Sequence, residues 1–476
     1  MSNVYETVIG LEIHAQLLTD SKLFSTAPAS SKGNENQNIN AVCVGMPGTL
    51  PVLNQKAVEL AVVTGTVLHC KVEPRSVFAR KQYFYPDLSK GYQITQHTQP
   101  ICSEGYVEFY VDNEKKKVRL ERAHLEEDAG KSTHHGSHSL INYNRAGVPL
   151  LEIVSAPDMR SPAEAAAYAR AVRQLLMFAE TCDGNLDEGS LRCDCNVSIR
   201  KKGEKKLGVK VELKNLNSFR FIEKAIEYEV RRQVDCVENG EEIVQETRLY
   251  DSTKNKTFSM RTKEDAEDYR YFPDPDIPPV LLTPEMIKGW TAEMEESPLV
   301  KFERLHFKMG IGFAEAEILC SEKSMVQYFE KVLAVIEEPK KITNWIVGEM
   351  LARCHEDKIH FRDHKIAAQD LGDLIRTVSD GTLSGKMAKT VFAKMWTEGG
   401  APKDWIKKLG LEQIDDEEKL IKIVQGVLQE FPEKVTEYKS GKEKLYGFFV
   451  GQIMKKTQGQ ANPAVVNKVL KQELIK

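Results

Sequence analysis

Residues 8–17, VIGLEIHAQL, alternate in character: Ile9, Leu11, Ile13, Ala15 and Leu17 share one parity, and Gly10, Glu12, His14 and Gln16 share the other. Strand side chains point to opposite faces with a period of two. The pattern therefore predicts a strand that buries one face and presents Glu12 and His14 on the other. In residues 191–200, Cys193, Cys195, Val197 and Ile199 oppose Arg192, Asp194, Asn196, Ser198 and Arg200. In residues 209–214, Val209, Val211 and Leu213 oppose Lys210, Glu212 and Lys214. One apolar and one strongly polar face is the pattern of antiparallel sheet. Hairpin-like loops at 201–208 and 131–139 separate such runs. Two amphipathic segments interrupt them. Ser161-Pro162-Ala163-Glu164 carries the cap serine, first-turn proline and capping-box glutamate of a helix start. That helix is expected to continue to Cys182 and stop at Asp183-Gly184-Asn185. A second is expected over residues 219–238, capped by Ser218 and ended by Asn239-Gly240.

Residues 271–284 hold five prolines in fourteen positions. Proline lacks an N–H and restricts its predecessor, so neither helix nor central strand continues, and a domain border is expected there. Beyond it the apolar period lengthens from two to about 3.6, as in residues 325–336, MVQYFEKVLAVI. A chain of 476 residues exceeds one core. The expected architecture is α+β: an antiparallel-sheet domain over residues 1–284, a helical domain over 285–410, and a small helical tail over 411–476. The tail is expected to end in two short helices around the turn Gly459-Gln460-Ala461-Asn462-Pro463.

Composition adds constraints. Hydrophobic residues at 41% and charged residues at 29% are those of a soluble globular protein. No apolar run approaches the roughly 18 residues that span a bilayer. The start, MSNVYETV, lacks the basic and apolar regions of a signal peptide. Nine cysteines with no C-x-x-C pair suit reduced thiols rather than a disulfide framework. A cytoplasmic protein without membrane contact is the expectation. The net charge of −4 does not point to nucleic acid, but its distribution does: residues 441–476 hold seven lysines against two glutamates. A basic tail on an acidic protein suits contact with a polyanion; a solvated helical end with scattered lysines has the same composition.

The polar strand faces are rich in acid. Glu12 and His14 form one group, and Arg122, His124, Glu126, Glu127 and Asp128 another. Asp194 lies on a polar strand face, and Glu152 is isolated within VPLLEIV (148–154). A carboxylate in an apolar run is costly to bury unless it is paired or holds a cation. Four acidic segments and a histidine suit oxygen-preferring cations such as Mg²⁺; an ion-pair network with neighbouring Arg and Lys uses the same residue types. Lys81 and Lys90, set among Tyr83, Phe84, Tyr85 and Tyr92, have the composition that holds a nucleotide or acyl phosphate. Lys214, Asn215, Asn217 and Ser218 fall at a strand-to-helix junction, where free N–H groups favour anions.

Several signals are missing. There is no G-x-x-x-x-G-K-[ST] loop, no dinucleotide fingerprint at Gly310-Ile311-Gly312, and no G-x-S-x-G elbow. Cys193 and Cys195 have the apolar parity and read as core rather than zinc ligands. His134, His135 and His138 read as a solvated hairpin tip.

The chain resembles the B subunit of the bacterial aspartyl/glutamyl-tRNA amidotransferase along essentially its whole length. The resemblance rests on TVIGLEIHAQL (7–17), PGTLPVLN (47–54), YFYPDL-x-KGYQITQ (83–96), HLEEDAGK (124–131), NRAGVPLLEIV (144–154), RCDCNVSIR (192–200), VELKNLNSFRFIEKAIEYE (211–229), ETRLYD (246–251), YRYFPDPDIPP (269–279) and GQIMKKTQGQANP (451–463). It implies a sheet domain similar in fold and chemistry to glutamine synthetase. It also implies ATP-dependent phosphorylation of the side-chain carboxylate of Glu-tRNA(Gln) or Asp-tRNA(Asn). Ammonia then displaces the phosphate; an amidase A subunit supplies it from glutamine through a channel, and a small C subunit holds the two together. A catalytically silent tRNA-binding scaffold is the competing reading.

By the resemblance, Glu12, His14, Glu127, Glu152 and Asp194 match the family's metal positions. Strand parity sets Glu126, not Glu127, beside Arg122 and His124, so both stay candidates. Lys81 and Lys90 match positions at the nucleotide pocket and channel mouth. Tyr83, Arg122, His124, Arg145, Lys214, Asn215 and Asn217 are candidates for binding nucleotide or substrate, and Lys455, Lys456 and Lys468 for binding tRNA. ATP and Mg²⁺ are the implied cofactors. Two departures stand out. Residues 23–48, where many members carry zinc-binding cysteine motifs, contain only Cys43, so no structural zinc is expected. Ala156 stands where the family usually has glutamate.

Overall fold

The computed structural model describes residues 4–262, 268–411, 417–443, 445–457, 461 and 463–475. Gly459, Gln460 and Asn462 of the expected tail turn, and Lys444 and Lys476 of the basic tail, lie outside the described residues. The chain divides into two compact units, Met1–Lys301 and Phe302–Lys476.

The first unit opens with β1 (Tyr5–Gln16), α1 (Gln55–Val67), β2 (Lys71–Val72), β3 (Arg75–Ser76), β4 (Ala79–Gln82), β5 (Tyr92–Thr95), β6 (Cys102–Ser103), β7 (Tyr106–Val111) and β8 (Glu114–Glu127). It continues through β9 (Lys131–His135), β10 (His138–Asn142), β11 (Pro149–Ser155), α2 (Pro162–Phe178), β12 (Leu191–Lys201), β13 (Val211–Lys214) and α3 (Phe219–Glu238). It closes with β14 (Glu246–Asp251), β15 (Lys256–Thr262), β16 (Phe272–Pro273), β17 (Val280–Leu281) and α4 (Pro284–Thr291). One large sheet runs in the order β15-β14-β13-β12-β1-β11-β8-β6-β2, with β7 paired to β8. Ile9, Leu11, Ile13 and Ala15 of β1 are buried, as are Leu151 and Ile153 of β11 and Cys193, Cys195 and Val197 of β12. Helices α1, α2 and α3 pack against these strands. Each fully buried aliphatic side chain contributes about 1.5–3 kcal/mol, so this shared apolar face holds the layers together. A small sheet, β16-β4-β5, packs on β8 through β5.

Helix α3 has the expected limits: Ser218 accepts from the Phe221 N–H, and the chain turns at Gly240 with φ 77°. Helix α2 has the expected Ser161 cap but ends at Phe178, before Cys182. Glu180 adopts a left-handed conformation (φ 56°), and the N–H groups of Glu180 and Thr181 return to the carbonyls of Met177 and Leu176. The Thr181 carbonyl is thereby released to accept the Leu18 N–H just beyond β1.

The large sheet is mixed rather than wholly antiparallel. Strands β13 and β14 run parallel, and α3 supplies the crossover such a pair requires. The 131–139 stretch is itself a hairpin, β9 with β10, and His134, His135 and His138 are exposed on it. The proline-rich run is woven into the first unit. Phe272–Pro273 pairs with β4 and Val280–Leu281 with β3, both short pairings that tolerate proline. Helix α4 packs on α1, so this unit extends to Lys301.

The second unit is helical. Its helices Lys323–Leu333, Ala368–Ser379 and Gly385–Glu398 bury Val326, Phe329, Leu371, Leu374, Val391 and Phe392. Helices Glu417–Glu430, Leu445–Lys456 and Pro463–Ile475 share a separate cluster that includes Leu420, Val424, Phe449, Ile453 and Leu470. Among the described residues, no helix is long and apolar enough to cross a membrane.

Candidate active site

Register builds the site. On the polar face, Arg192 of β12 pairs with His14 of β1, His14 with Glu152 of β11, and Glu152 with His124 of β8. These four residues form one row across four adjacent strands. The next row holds Asp194, Glu12, Val154 and Arg122. On the other side, Gln16 pairs with Leu150 and Leu150 with Glu126. Residues distant in sequence thus face one another at roughly 5 Å spacing because all share one strand parity.

The centre is His14, Glu126 and Glu152. The His14 Nε2 lies 3.3 Å from Glu152 and 3.6 Å from Glu126. His124 Nε2 lies 3.6 Å from Glu152 and 4.0 Å from Glu126. Glu126 and His124 are only 5% and 3% exposed, so their electrostatics are barely screened by solvent. Burial opposes a charge on His14, but the Glu152 hydrogen bond and the charges of Glu126, Glu152 and Asp194 outweigh it and push its pKa up to about 9. Burial also opposes charge on Glu152, yet the His14 bond and the charges of His124, His14 and Arg122 hold it well below the usual carboxylate range. Glu126 goes the other way: burial and the charge of Glu152 raise it to about 7, against the pull of His14 and Lys81. Burial lowers His124 to about 4, aided by Arg122, His14 and Lys81 and opposed by Glu152. The same chemistry thus splits into an ionised and a proton-retaining carboxyl, and a charged and a neutral imidazole.

His14, Glu126 and Glu152 each offer a ligand atom, all within 4.8 Å of one another. Two carboxylates and an imidazole held on rigid strands fit a divalent cation such as Mg²⁺ or Mn²⁺. Glu12 sits one row away and accepts from Asn196 at 2.9 Å. Burial and the charges of Glu152 and Glu212 raise its pKa. Asp194 is paired with Lys214 at 2.9 Å, and Lys214 also reaches Glu212 at 3.2 Å. Glu127 points away from the trio. It is paired with Lys90 at 2.5 Å and accepts the Ile94 N–H at 2.9 Å. It lines a cavity with Lys22, Cys43, Lys90, Tyr92 and Asp128 whose free volume of ≈ 20 Å³ holds about one water-sized molecule.

Other expected residues divide in the same way. Lys81 of β4 lies 4.6 Å from the Tyr269 ring centre and 5.7 Å from that of Tyr83, and its charge acts on Glu126 and His124. Arg122 acts on Glu152 and His124, and its Nε is enclosed with no acceptor among the described residues. Arg145 is occupied with the carbonyls of Ala129 and Gly130, at 2.9 and 2.8 Å. Asn215 bonds the Tyr250 carbonyl at 3.0 Å, and Asn217 bonds Asn215 at 3.3 Å, so neither joins the trio. Lys455, Lys456 and Lys468 are exposed in the second unit, with Lys456 paired to Glu430 at 3.0 Å.

The structure adds three side chains that the sequence did not single out. Tyr271 stacks on His97 with ring centres 4.0 Å apart; burial and the nearby Tyr269, Glu152 and Glu126 push its hydroxyl up to about 12. The proline-rich setting hid it, although the run of three aromatics at Tyr269, Tyr271 and Phe272 was a usable signal. Arg192 bonds Asp128 at 2.8 Å, and its partnership with His14 depends on register alone. Lys22 is almost wholly buried, 3.3 Å from the Tyr143 carbonyl, and burial lowers its pKa.

A mixed sheet with helices on one face and a compact carboxylate–histidine cluster on the other, flanked by Lys81, Arg122 and the Tyr83 and Tyr269 rings, defines an α+β domain with the residue types of a cation-assisted active site. The family model described as the GatB/GatE catalytic domain matches residues 7–288, and one described as a GatB domain matches residues 327–474. The chain belongs to the GatB family. It is 52% identical to the B subunit of the aspartyl/glutamyl-tRNA(Asn/Gln) amidotransferase of Bdellovibrio bacteriovorus over 474 residues, 99% of each chain. It is 48% identical to the B subunit of the same amidotransferase from Solidesulfovibrio magneticus over 472 residues, again 99% of each. Its identity to the corresponding chain of Thermodesulfovibrio yellowstonii is 48% over 467 residues, 98% of each.

Because Glu152 is the main support of the charged imidazole, Glu152→Gln should release it. In chelator-treated protein, the NMR titration of His14 is expected near pH 9 and should fall by about one pH unit or more in the variant. The stabilising part of this pair is complete below the ordinary histidine pKa and is lost as pH rises through 9. An unchanged His14 midpoint in Glu152→Gln would contradict the assignment.

Proposed function

We propose that this chain activates the side-chain carboxylate of glutamate on tRNA(Gln), aspartate on tRNA(Asn), or both, by phosphorylation from ATP. Ammonia then converts the activated group to the amide. The observation that carries this reading is the His14–Glu126–Glu152 cluster, with Glu126 buried and the other two half-buried, set on one strand face within reach of Lys81, Arg122 and His124.

Phosphoryl transfer between two anions needs their charge neutralised and their atoms aligned. In this reading His14, Glu126 and Glu152 hold Mg²⁺, with Glu12 and Asp194 completing the acidic surround. When bound, the ion neutralises phosphate charge and polarises the oxygens in transfer. Lys81, beneath Tyr83 and Tyr269, and Arg122 hold the anionic groups on the side of the small sheet. His124, neutral at physiological pH, donates or accepts a hydrogen bond without adding charge. Lys214, with Asn215 and Asn217 at the start of α3, serves the nucleotide at the other edge. Glu127 and Lys90 act at the cavity where ammonia arrives, rather than at the metal. Arg145 braces the loop that leads there.

The ammonia comes from glutamine through an amidase partner subunit, with a small third subunit in the assembly. The reaction makes the chain part of a carbon–nitrogen ligase acting in the cytoplasm, away from membranes. A division into a sheet domain (1–284), a helical domain (285–410) and a tail (411–476) belongs to the same proposal. Lys455, Lys456 and Lys468 give the tail its contact with tRNA phosphates.

His14→Ala in the assembled complex is expected to lower ATP hydrolysis in the presence of aminoacyl-tRNA by about a hundredfold or more, while glutamine hydrolysis persists. Unchanged ATP turnover would sink the metal assignment, and tRNA binding without ATP use by the wild-type complex would favour a silent scaffold. Replacing Lys455 and Lys456 with alanine should weaken tRNA binding and flatten its salt dependence by about one phosphate contact for each lysine. An unaltered salt slope would remove the tail from the interface.

A further inference from the structure

Arg192 stands in the strand row of His14 and Glu152, directly across from His14 by register, yet the scheme above gives it no task. One end is fixed. Its Nη2 donates to Asp128 at 2.8 Å, and Asp128 also faces Arg145 at 3.5 Å and Gln16 Nε2 at 3.4 Å. Asp128 is only 4% exposed, so the acceptor side of this anchor is shielded, while the Arg192 side chain keeps about a third of its surface open. The Nε is enclosed and finds no acceptor among the described residues. Glu126 and Asp194 lie close enough to act on the Arg192 charge, but neither accepts from Nε. An enclosed cationic N–H without an acceptor is costly, and an arginine held at one end presents its remaining edge as a ready fork for an oxyanion. Arg122, on the other flank of the trio, has the same enclosed and unbonded Nε. The cluster is thus bracketed by two guanidiniums, which suits a site where two anions must meet.

We propose that Arg192 binds an oxyanion of the reaction, either the terminal phosphoryl group of ATP or the side-chain carboxylate that receives it. This assignment rests on the carboxylate-kinase reading. It gives Asp128 a task as well: Asp128 is the positioning residue that aims Arg192, and it also lines the cavity that holds Lys90 and Glu127. The alternative role for Arg192 is a purely structural cation among Asp128, Glu126 and Asp194.

The test uses the assembled complex carrying Arg192→Gln or Arg192→Lys. Four affinities are measured in Mg²⁺: a non-hydrolysable ATP analogue, ADP, aminoacylated tRNA and uncharged tRNA. Arg192→Gln is expected to weaken one member of a pair by about tenfold or more and to leave its partner unchanged, with Arg192→Lys recovering part of the loss. Loss confined to the ATP analogue assigns the phosphoryl group, and loss confined to charged tRNA assigns the carboxylate. Equal loss for all four ligands, or no loss for any, overturns the proposal while wild-type ATP turnover keeps the carboxylate-kinase reading standing. A wild-type complex that consumes no ATP with aminoacyl-tRNA overturns both.

Discussion

The register of β1 between β11 and β12 is the constraint on which the site depends, because it decides which polar groups meet. Ile9, Leu11, Ile13 and Ala15 are buried beneath the helices, and a slip of one residue would carry them to the opposite face along with every partner they pack against. Several side chains, each contributing about 1.5–3 kcal/mol, oppose that slip. The polar row then follows without further choice: Arg192, His14, Glu152 and His124 stand across four strands because their apolar neighbours are locked on the other side. Hydrophobic burial thus supplies the alignment that the charged groups, left alone, would resist.

That resistance is electrostatic. Buried Glu126 and half-buried Glu152 lie beside each other, and two carboxylates in a poorly solvated site cannot both ionise cheaply. His14 settles the conflict in favour of Glu152, while Glu126 retains its proton up to about 7. A group of this kind is poised for a doubly charged cation, which satisfies both carboxylates at once and displaces protons in doing so. The same arrangement suits phosphoryl transfer, where little covalent work is asked of the protein and most of the barrier is lowered by placing positive charge where negative charge gathers. Asp128, bonded to Arg192, also lines the small cavity of Lys90 and Glu127 at the end of β8.

Much of this was legible in the chain. Alternation marked β1 and β12 and the face of each that carries Glu12, His14 and Asp194. Glu152 announced itself as a carboxylate in an apolar run, and strand parity set Glu126, not Glu127, on the side of His124, where the structure has it. What the sequence left open was pairing. Nothing local tells that His14 faces Arg192 rather than Asp194, or that β14 returns parallel to β13 after α3. Local reading also overextended α2, because the contact between Thr181 and Leu18 that draws the chain away is tertiary. Proline content suggested a border, but two short strand pairings hold that segment within the first unit and bring Tyr271 to the site. Asn215 and Asn217 were marked by their place before a helix; their local partners, the Tyr250 carbonyl for Asn215 and Asn215 itself for Asn217, are tertiary and turn contacts that no local pattern announces.

The central claim is that one divalent cation sits among His14, Glu126 and Glu152, and that Glu127 belongs to a different part of the site. Anomalous scattering from crystals of the assembled complex soaked with Mn²⁺ and an ATP analogue tests it directly. The account predicts a peak about 2.0–2.3 Å from His14 Nε2 and from a carboxylate oxygen of both Glu126 and Glu152, lost in Glu126→Gln and retained in Glu127→Gln. A peak on Glu127, or one that persists in Glu126→Gln and disappears in Glu127→Gln, would contradict it.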